Sequence, residues 1–350
     1  MSFKLGDYEV SDDNDVCFVA EVGSFFNKDA SLAKSYIDMS MAAGVDVFKT
    51  EIIHNGEFVI DREDIVVKYN TGQGEVTEKY RDLIDRKIIS LKVYEDIFAH
   101  ALSYGARIIA TVFDRTGVDF LKNNGAVGIK ISRNNLKHRP LIEYSAKSGL
   151  PIIFDVGDVP WWTAQRALEW VREAGGDAMF NHHPGPNPSP AEIHNLRCIE
   201  NLKKMLGTPV GLACHYRGNE MIYCAIGAGI NLIEKGVDID PNRQEADLIS
   251  AVSFEGLKEL VENSKLCSKS LGSVHPQVHE ERVVPTQPGL VASRDIAAGE
   301  LLRGNFHFSW PPEGIPGDQA ELVFAKTLIK DVAAGEPISW DHFLSSNSTS

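Results

Sequence analysis

Eight short runs of apolar residues recur between residues 16 and 235, and nearly every run ends in a charged or histidine residue. The runs cover residues 16–21, 45–49, 108–113, 127–130, 152–155, 178–182, 210–215 and 230–235. Continuous apolar runs of this length are typical of parallel strands that are buried on both faces. Eight such strands, separated by amphipathic stretches of helical length, predict an α/β fold of the (β/α)₈ TIM-barrel type.

The stretches between these runs carry the signals of helices. They cover residues 30–43, 94–104, 116–124, 141–148, 162–174, 191–206, 220–226 and 254–270. A glycine follows seven of them directly, at Gly44, Gly105, Gly125, Gly149, Gly175, Gly207 and Gly227. Glycine adopts the left-handed conformation that commonly ends a helix, so these positions predict short loops leading into the next strand.

The chain has 350 residues, which exceeds the roughly 250 of a TIM barrel and predicts a second, smaller domain. The predicted divisions are 1–270 for the barrel, 271–288 for a linker, 289–343 for the small domain and 344–350 for a disordered tail. The phrases at 294–300 and 330–336 are a near-repeat. Each predicts a strand and then a turn with glycine at positive φ.

Composition restricts the classes of molecule that the protein is expected to bind. The formal net charge of −14 disfavours nucleic acid and anionic membranes as general partners. No apolar run approaches the ~18 residues of a membrane span, and the first residues lack the apolar core of a signal peptide. The five cysteines are odd in number and form no CxxC pair, which favours a reduced, cytoplasmic protein.

Reactive residues are predicted to surround one end of the barrel, because the carboxyl ends of its strands carry the active site. The residues expected there are Glu21, Lys49, Lys130, Asp155, His182, His215 and Glu234. A lysine within an apolar strand is costly to bury unless it is paired or functional. Lys49 and Lys130 are therefore predicted to bind substrate, to form structural ion pairs, or to act as Schiff-base nucleophiles. Lys235 is a third candidate lysine, but alternation along a strand prevents it and Glu234 from both facing inward.

The chain resembles the sialic acid synthase family along its whole length. The resemblance rests on the segments 20–23, 43–49, 110–114, 129–132, 140–153 and 233–235. Residues 290–300 resemble the small antifreeze-like (SAF) domain that this family carries. The order of the motifs and the two-domain layout make the resemblance fairly specific.

The resemblance implies condensation of phosphoenolpyruvate with an aldehyde sugar, such as one like N-acetylmannosamine. The product would be a 3-deoxy-2-keto sugar acid similar to sialic acid, with release of phosphate. The implied catalytic residues are Glu21, Lys49, Lys130 and Glu234, and Ser132 is an implied substrate contact. His215 and Asp247 are the implied ligands of a divalent metal, with Mn²⁺ expected, and Glu234 is a further acidic neighbour. A homodimer is also implied, in which the SAF domain caps the partner's barrel.

Several positions depart from the family pattern. Gly236 stands where the family has its second metal-binding histidine, and the sequence Ser132-Arg-Asn134 lacks the family's acid. Asp155-Val-Gly157 replaces a Ser-Thr-Gly pattern, and Ala213-Cys-His215 replaces Ser-Asp-His. The arginine expected in the SAF domain falls near Gln287 or Pro288.

Other residues are candidates for the sugar end of the site. Asn134 and Asp155 stand at altered motif positions, and His182 and His183 open a proline-rich loop at 182–190. All four are predicted substrate contacts. The insertion after the second strand, with charged residues at 61–64, is predicted to be a solvated loop, although a lid is an alternative.

Three functions remain open from the sequence. The first is the phosphoenolpyruvate-dependent synthase. The second is a lysine Schiff-base aldolase that needs no metal. The third is a protein that binds phosphoenolpyruvate or a sugar acid without turnover, which Asn134 and Gly236 motivate.

Overall fold

The computed structural model describes residues 1–240, 244–272, 287–311 and 313–343. It divides into two compact units, Met1–Gly272 and Ser273–Ser350. The strands are β1 (Ser2–Leu5), β2 (Tyr8–Ser11), β3 (Cys17–Gly23), β4 (Val47–Glu51), β5 (Val66–Thr71), β6 (Gly74–Lys79), β7 (Ile108–Thr111), β8 (Gly128–Ile131), β9 (Ile152–Val156), β10 (Ala178–His182), β11 (Val210–Cys214), β12 (Leu232–Asp238), β13 (Val252–Ser253), β14 (Gly289–Ala292) and β15 (Phe306–Ser309). The α-helices are α1 (Ala30–Ala42), α2 (Tyr80–Asp85), α3 (Leu91–Ser103), α4 (Arg115–Asn123), α5 (Arg139–Lys147), α6 (Trp161–Glu173), α7 (Cys198–Leu206), α8 (Glu220–Gly227) and α9 (Phe254–Leu271).

The first unit is the predicted barrel. Its parallel strands follow the order β3-β4-β7-β8-β9-β10-β11-β12, and β12 pairs with β3 to close the ring. Side chains that point outward from the strands pack against the helices in one large apolar core. The fold prediction is therefore confirmed, with each strand within a few residues of its expected place.

A hairpin of β1 and β2 precedes the barrel and was not predicted. Its Phe3, Leu5 and Val10 join a second apolar cluster with residues near the strand starts, such as Cys17 and Val47. This cluster fills the end of the barrel opposite the strands' carboxyl ends. Reactive chemistry is therefore confined to the other end, where the strands finish.

The helix ends agree with the glycine signals at six positions. Gly44, Gly105, Gly125, Gly149, Gly175 and Gly207 all have positive φ. The prediction for Gly227 was wrong, because α8 includes this residue and Gly229 takes the left-handed conformation. The helix predicted over 191–206 was too long, since only a short 3₁₀ turn at Ala191–Ile193 precedes α7.

The insertion after β4 is ordered, which contradicts the predicted solvated loop. It contains the antiparallel pair β5–β6 and the helix α2. Ile53, Val59 and Ile84 form an apolar cluster of its own, supported by Phe58 and Phe113. The prediction failed because the strand pattern of β5 and β6 is mostly exposed and polar, so alternation was not evident.

The second unit has its own core, with Leu290, Ile296, Leu302, Val332 and Ile338 buried in it. The two near-repeats pair with each other through reciprocal hydrogen bonds between Ile296 and Val332 of 2.9 and 3.0 Å. Gly299 and Gly335 both have positive φ, as predicted, but each repeat makes a single β-bridge rather than a strand.

Two of the predicted segments cannot be compared in full. Most of the 271–288 linker and the whole 344–350 tail lie outside the described residues. The barrel unit extends to Gly272, two residues beyond the predicted boundary. In the part of the chain that the structure describes, no helix has the length and apolar character that crossing a membrane requires.

Candidate functional site

Two lysines and three carboxylates form a buried ionic cluster at the carboxyl ends of the barrel strands. Lys49 pairs with Glu21 and lies 3.3 Å from Oε1 of Glu234. Lys130 lies 2.8 Å from Oδ1 of Asp155 and also pairs with Glu234. The structure therefore gathers all five of these predicted residues, and Glu234 bridges the two lysines.

Strand register explains this arrangement. Glu21 of β3 is directly opposite Lys49 of β4, so both side chains point into the barrel at one level. Along β12 the side chains alternate. Glu234 therefore faces the cluster, whereas the neighbouring Lys235 donates hydrogen bonds to the carbonyl oxygens of Tyr216 and Gly218.

Burial and the neighbouring charges shift the pKa values of the cluster residues in opposite directions. Burial tends to raise the pKa of Glu234, but the charges of Lys130 and Lys49 outweigh it and hold this pKa at about 2. For Asp155, burial prevails over the charge of Lys130, and its pKa is raised. Burial tends to lower the pKa of Lys130, but Asp155 and Glu234 raise it, so this ammonium group stays protonated.

Asn181 is a member of the site that the sequence reasoning missed. Its Nδ2 donates a hydrogen bond to Oε2 of Glu234 at 3.1 Å, and the residue is fully buried in β10. A Cβ atom at Gly211 would lie only 2.3 Å from Oδ1 of Asn181, so this amide requires glycine on the next strand. A polar residue inside an otherwise apolar run was the available signal.

His182 was predicted to contact substrate, and the structure corrects this. Because Asn181 points into the barrel, the next side chain of β10 points outward. His182 Nε2 bonds to the carbonyl oxygen of His194, and Cys198 Sγ lies 3.8 Å from His182 Nδ1. His182 does not line the cavity at the barrel mouth.

His183 and His215 face each other across the strand ends, with ring centroids 4.6 Å apart and planes at 81°. Burial lowers the pKa of both rings, most strongly for His183, so His183 is neutral. The backbone N–H of Gly185 donates to His183 Nδ1 at 3.1 Å. The proton of the neutral His183 ring is therefore on Nε2, which can donate a hydrogen bond.

A cavity of about 480 Å³ opens above the ionic cluster. Glu21, Lys49, Asp155 and Glu234 of the cluster form its floor, and Lys130 lies buried beneath them. The predicted contacts that also line it are Ser132, Asn134, His183, His215 and Asp247. The ordered insertion supplies the opposite wall with Phe58, which stacks on Phe113 at 4.0 Å, and with Tyr80. Lys87 is a buried lysine of this wall and pairs with Glu245 at 3.4 Å. The insertion thus takes part in the site rather than lying apart from it.

The residues present do not fit the expected divalent metal well. His215 suits a ligand, because its Nδ1 is buried without a hydrogen-bond partner. Glu234, however, is engaged by two lysines, and Asp247 accepts the Asn187 amide at 3.1 Å. Over the described ranges, no three histidine, cysteine or acidic side chains come close enough together to hold a metal ion. The Mn²⁺ site stays a prediction.

Restoring a second histidine should create metal affinity. Gly236 lines the cavity as His215 does, and a Cβ atom added there meets nothing nearer than 3.5 Å. We expect Gly236→His to raise Mn²⁺ affinity at least about tenfold over wild type, because imidazole is a good ligand for such metals. Free Mn²⁺ measured by electron paramagnetic resonance gives the affinity, with Gly236→Ala as the control. Equal affinity in all three proteins would show that His215 cannot serve as a ligand.

Acid should weaken the fold through Glu234. The folded-state pKa of about 2 lies below the ordinary 4.5, so this carboxylate contributes stability above pH 4.5 that is lost as pH falls towards 2. The loss is up to about 3 kcal/mol, partly offset by Asp155, whose raised pKa has the opposite effect. In urea unfolding between pH 2 and 7, the free energy of unfolding of Glu234→Gln should decrease less with falling pH than that of wild type. Glu143→Gln, which alters a surface pair with Arg139, should keep the wild-type slope.

The fold and site define a class of protein. A closed (β/α)₈ barrel with ionisable residues at the carboxyl ends of its strands is the arrangement found in TIM-barrel enzymes. Residues 36–276 match the NeuB family, and since this is more than half of the chain, the protein belongs to that family. Residues 287–344 match the SAF domain.

Individual relatives are distant but cover most of the chain. An uncharacterized protein of Methanocaldococcus jannaschii is 27% identical over 97% of this chain and 98% of its own. The N,N'-diacetyllegionaminic acid synthase of Campylobacter jejuni is 24% identical over 91% of this chain and 98% of its own. The crystal structure of the N-acetylneuraminic acid synthetase of Leptospira borgpetersenii in complex with citrate has a TM-score of 0.72 at 23% identity. The match covers 80% of this chain and 94% of that one.

Proposed function

We propose that this protein condenses phosphoenolpyruvate with an aldehyde sugar to give a 3-deoxy-2-keto sugar acid and phosphate. The observation that carries the proposal is the convergence of Lys49 and Lys130 on one buried carboxylate beneath the cavity. Membership of the NeuB family supports it, as does the similarity to a legionaminic acid synthase. For the aldehyde substrate we propose a class of compound, the N-acetylated sugars.

The proposed chemistry has three requirements. C3 of phosphoenolpyruvate forms a bond to the aldehyde carbon, water adds to C2, and the C2–O bond to phosphate breaks. Lys49 and Lys130 would hold the enolpyruvate through charged hydrogen bonds, with Ser132 as a hydroxyl contact. Glu21 would accept the proton of the attacking water, and Glu234 would hold the two lysines in place. The neutral His183 ring would donate from Nε2 to the aldehyde oxygen as it gains negative charge.

The direct test is phosphate release from phosphoenolpyruvate with a panel of N-acetylated hexoses and pentoses, with and without Mn²⁺. Release that depends on an aldehyde supports the synthase, and the best sugar defines the product. Dependence on added Mn²⁺, lost with a chelator, would support the expected cofactor. Binding of phosphoenolpyruvate without release under every condition would contradict the synthase and favour a binding protein.

A binding protein without turnover is the second candidate. The observation that favours it is that Asn134 and Gly236, which stand where the family pattern has an acid and a metal-binding histidine, both line the cavity. The Schiff-base aldolase has less support. Lys130 is held protonated by Asp155 and Glu234, and a protonated amine is not a nucleophile. Lys49 is engaged by Glu21 and Glu234. Borohydride trapping with a keto acid would reveal such an enzyme.

We also propose a homodimer in the cytoplasm, in which the second unit caps the partner's barrel. The support for the dimer is the family resemblance, and the support for the compartment is that all five cysteines are free thiols. Light scattering on the full chain would measure the oligomeric state. A monomer at micromolar concentration would contradict the dimer.

A further inference from the structure

The charge of the buried cluster poses a problem for an anionic substrate. Its two ammonium groups are opposed by the three carboxylates of Glu21, Asp155 and Glu234, so the fully ionised cluster has one excess negative charge. A phosphate monoester with a carboxylate carries two to three further negative charges. Buried like charges repel strongly, so another cation must meet the phosphate.

The cavity has three other cationic side chains among the described residues: Lys68, Lys87 and Arg133. Lys87 is buried and already matched by the equally buried Glu245. Lys68 is an exposed residue of the β5–β6 hairpin, in the insertion that forms the opposite wall of the cavity. Arg133 begins the short 3₁₀ turn Arg133–Asn135, only three residues after Lys130.

We infer that Arg133 is the phosphate-binding residue of this site, and this inference rests on the proposed function. Within the described residues its ion pair is with Asp158, through Nη1 and Oδ2 at 2.7 Å. That ion pair is partly exposed, so breaking it costs little free energy. The remaining N–H groups of the guanidinium fork match phosphate oxygens in pairs.

The neighbours of Arg133 in the cavity place it at the end where the barrel strands finish. Arg133 lines the cavity together with His183 and His215. Ser132 precedes it and also lines the cavity, which provides a hydroxyl beside the guanidinium. A phosphate held by Arg133 leaves the carboxylate of the same substrate to Lys49 and Lys130.

Binding measurements separate this role from a general effect of charge. Dissociation constants for phosphoenolpyruvate, pyruvate and inorganic phosphate are measured by calorimetry at fixed ionic strength. We expect Arg133→Gln to weaken the binding of phosphoenolpyruvate and of inorganic phosphate about 10- to 100-fold, because a charged hydrogen-bond partner is lost. Pyruvate, which lacks the phosphate, should bind within about twofold of wild type. Arg133→Lys should restore part of the affinity, since it keeps the charge but not the fork.

Matched controls make the result decisive. Arg62→Gln removes the same charge from another exposed arginine–aspartate pair, that with Asp64, and should leave all three constants unchanged. A larger loss of phosphoenolpyruvate affinity in Lys68→Gln than in Arg133→Gln would overturn the inference, as would an equal loss for pyruvate. If inorganic phosphate binds through Arg133 but phosphoenolpyruvate does not bind, the proposed function fails and the subsite stands. If wild type binds neither, both fail.

Discussion

Replacing Lys130 by methionine should both inactivate the protein and weaken its fold. This ammonium group is buried and lies between Asp155 and Glu234, so its removal leaves Asp155 without its lysine and Glu234 with Lys49 alone. Breaking a buried pair in this way typically costs about 3–5 kcal/mol of unfolding free energy. Phosphate release should fall at least about 10²–10³-fold, because a preorganised cation is lost from the reacting end.

A double variant separates the two effects. Adding Asp155→Asn to Lys130→Met removes one of the uncompensated charges and should recover part of the lost stability. Activity should stay low, because the cation is still absent. Urea unfolding and phosphate release are measured on the same samples. Recovery of activity along with stability would show that Lys130 has only a structural role.

Lys235→Met is the matched control for the loss of a buried lysine. Lys235 is the neighbour of Glu234 on β12, but it donates to backbone carbonyl oxygens instead of pairing with the carboxylates of the cluster. We expect some loss of stability and little change in phosphoenolpyruvate affinity. An equal loss of affinity in Lys130→Met and Lys235→Met would mean that neither effect is specific to the site.

The barrel could be predicted because its signals are local. Each buried strand is a short apolar run, and six of seven glycines after helices take the left-handed conformation that the sequence suggested. The β1–β2 hairpin and the ordered insertion were missed for a different reason. Phe3 and Ile53 are buried only because distant parts of the chain cover them, and no spacing along the sequence records such contacts.

The site was predictable to the extent that strand ends define it. Lys49, Lys130 and Glu234 converge because register brings these positions to one level of the barrel. The error at His182 follows from assigning both residues of a His-His pair to the cavity, although β10 turns only alternate side chains inward. Which residue of a pair faces inward depends on register, and the marker for it was Asn181, whose inward direction turns His182 outward.

Gly157→Ala should be strongly destabilising. This variant tests whether the backbones at the ends of β9 and β10 can move apart without loss of stability. A Cβ atom at Gly157 would lie 1.8 Å from the carbonyl oxygen of His183, which is part of the backbone and cannot turn aside. His183 N also donates to the carbonyl oxygen of Val156 at 2.9 Å, so separating the strands breaks this bond. We expect a loss of more than about 3 kcal/mol, above the usual range for overpacking.

Gly236→Ala provides the comparison at a glycine that lines the cavity. The nearest atoms to a Cβ there are 3.5 Å away, which is ordinary van der Waals contact. Its unfolding free energy should stay within about 1 kcal/mol of wild type, the usual range for a tolerated surface or cavity change. Equal stability of the two variants would show that the backbone at Gly157 yields easily. Because His183 is positioned by that same backbone, Gly157→Ala should also weaken substrate binding in whatever fraction stays folded.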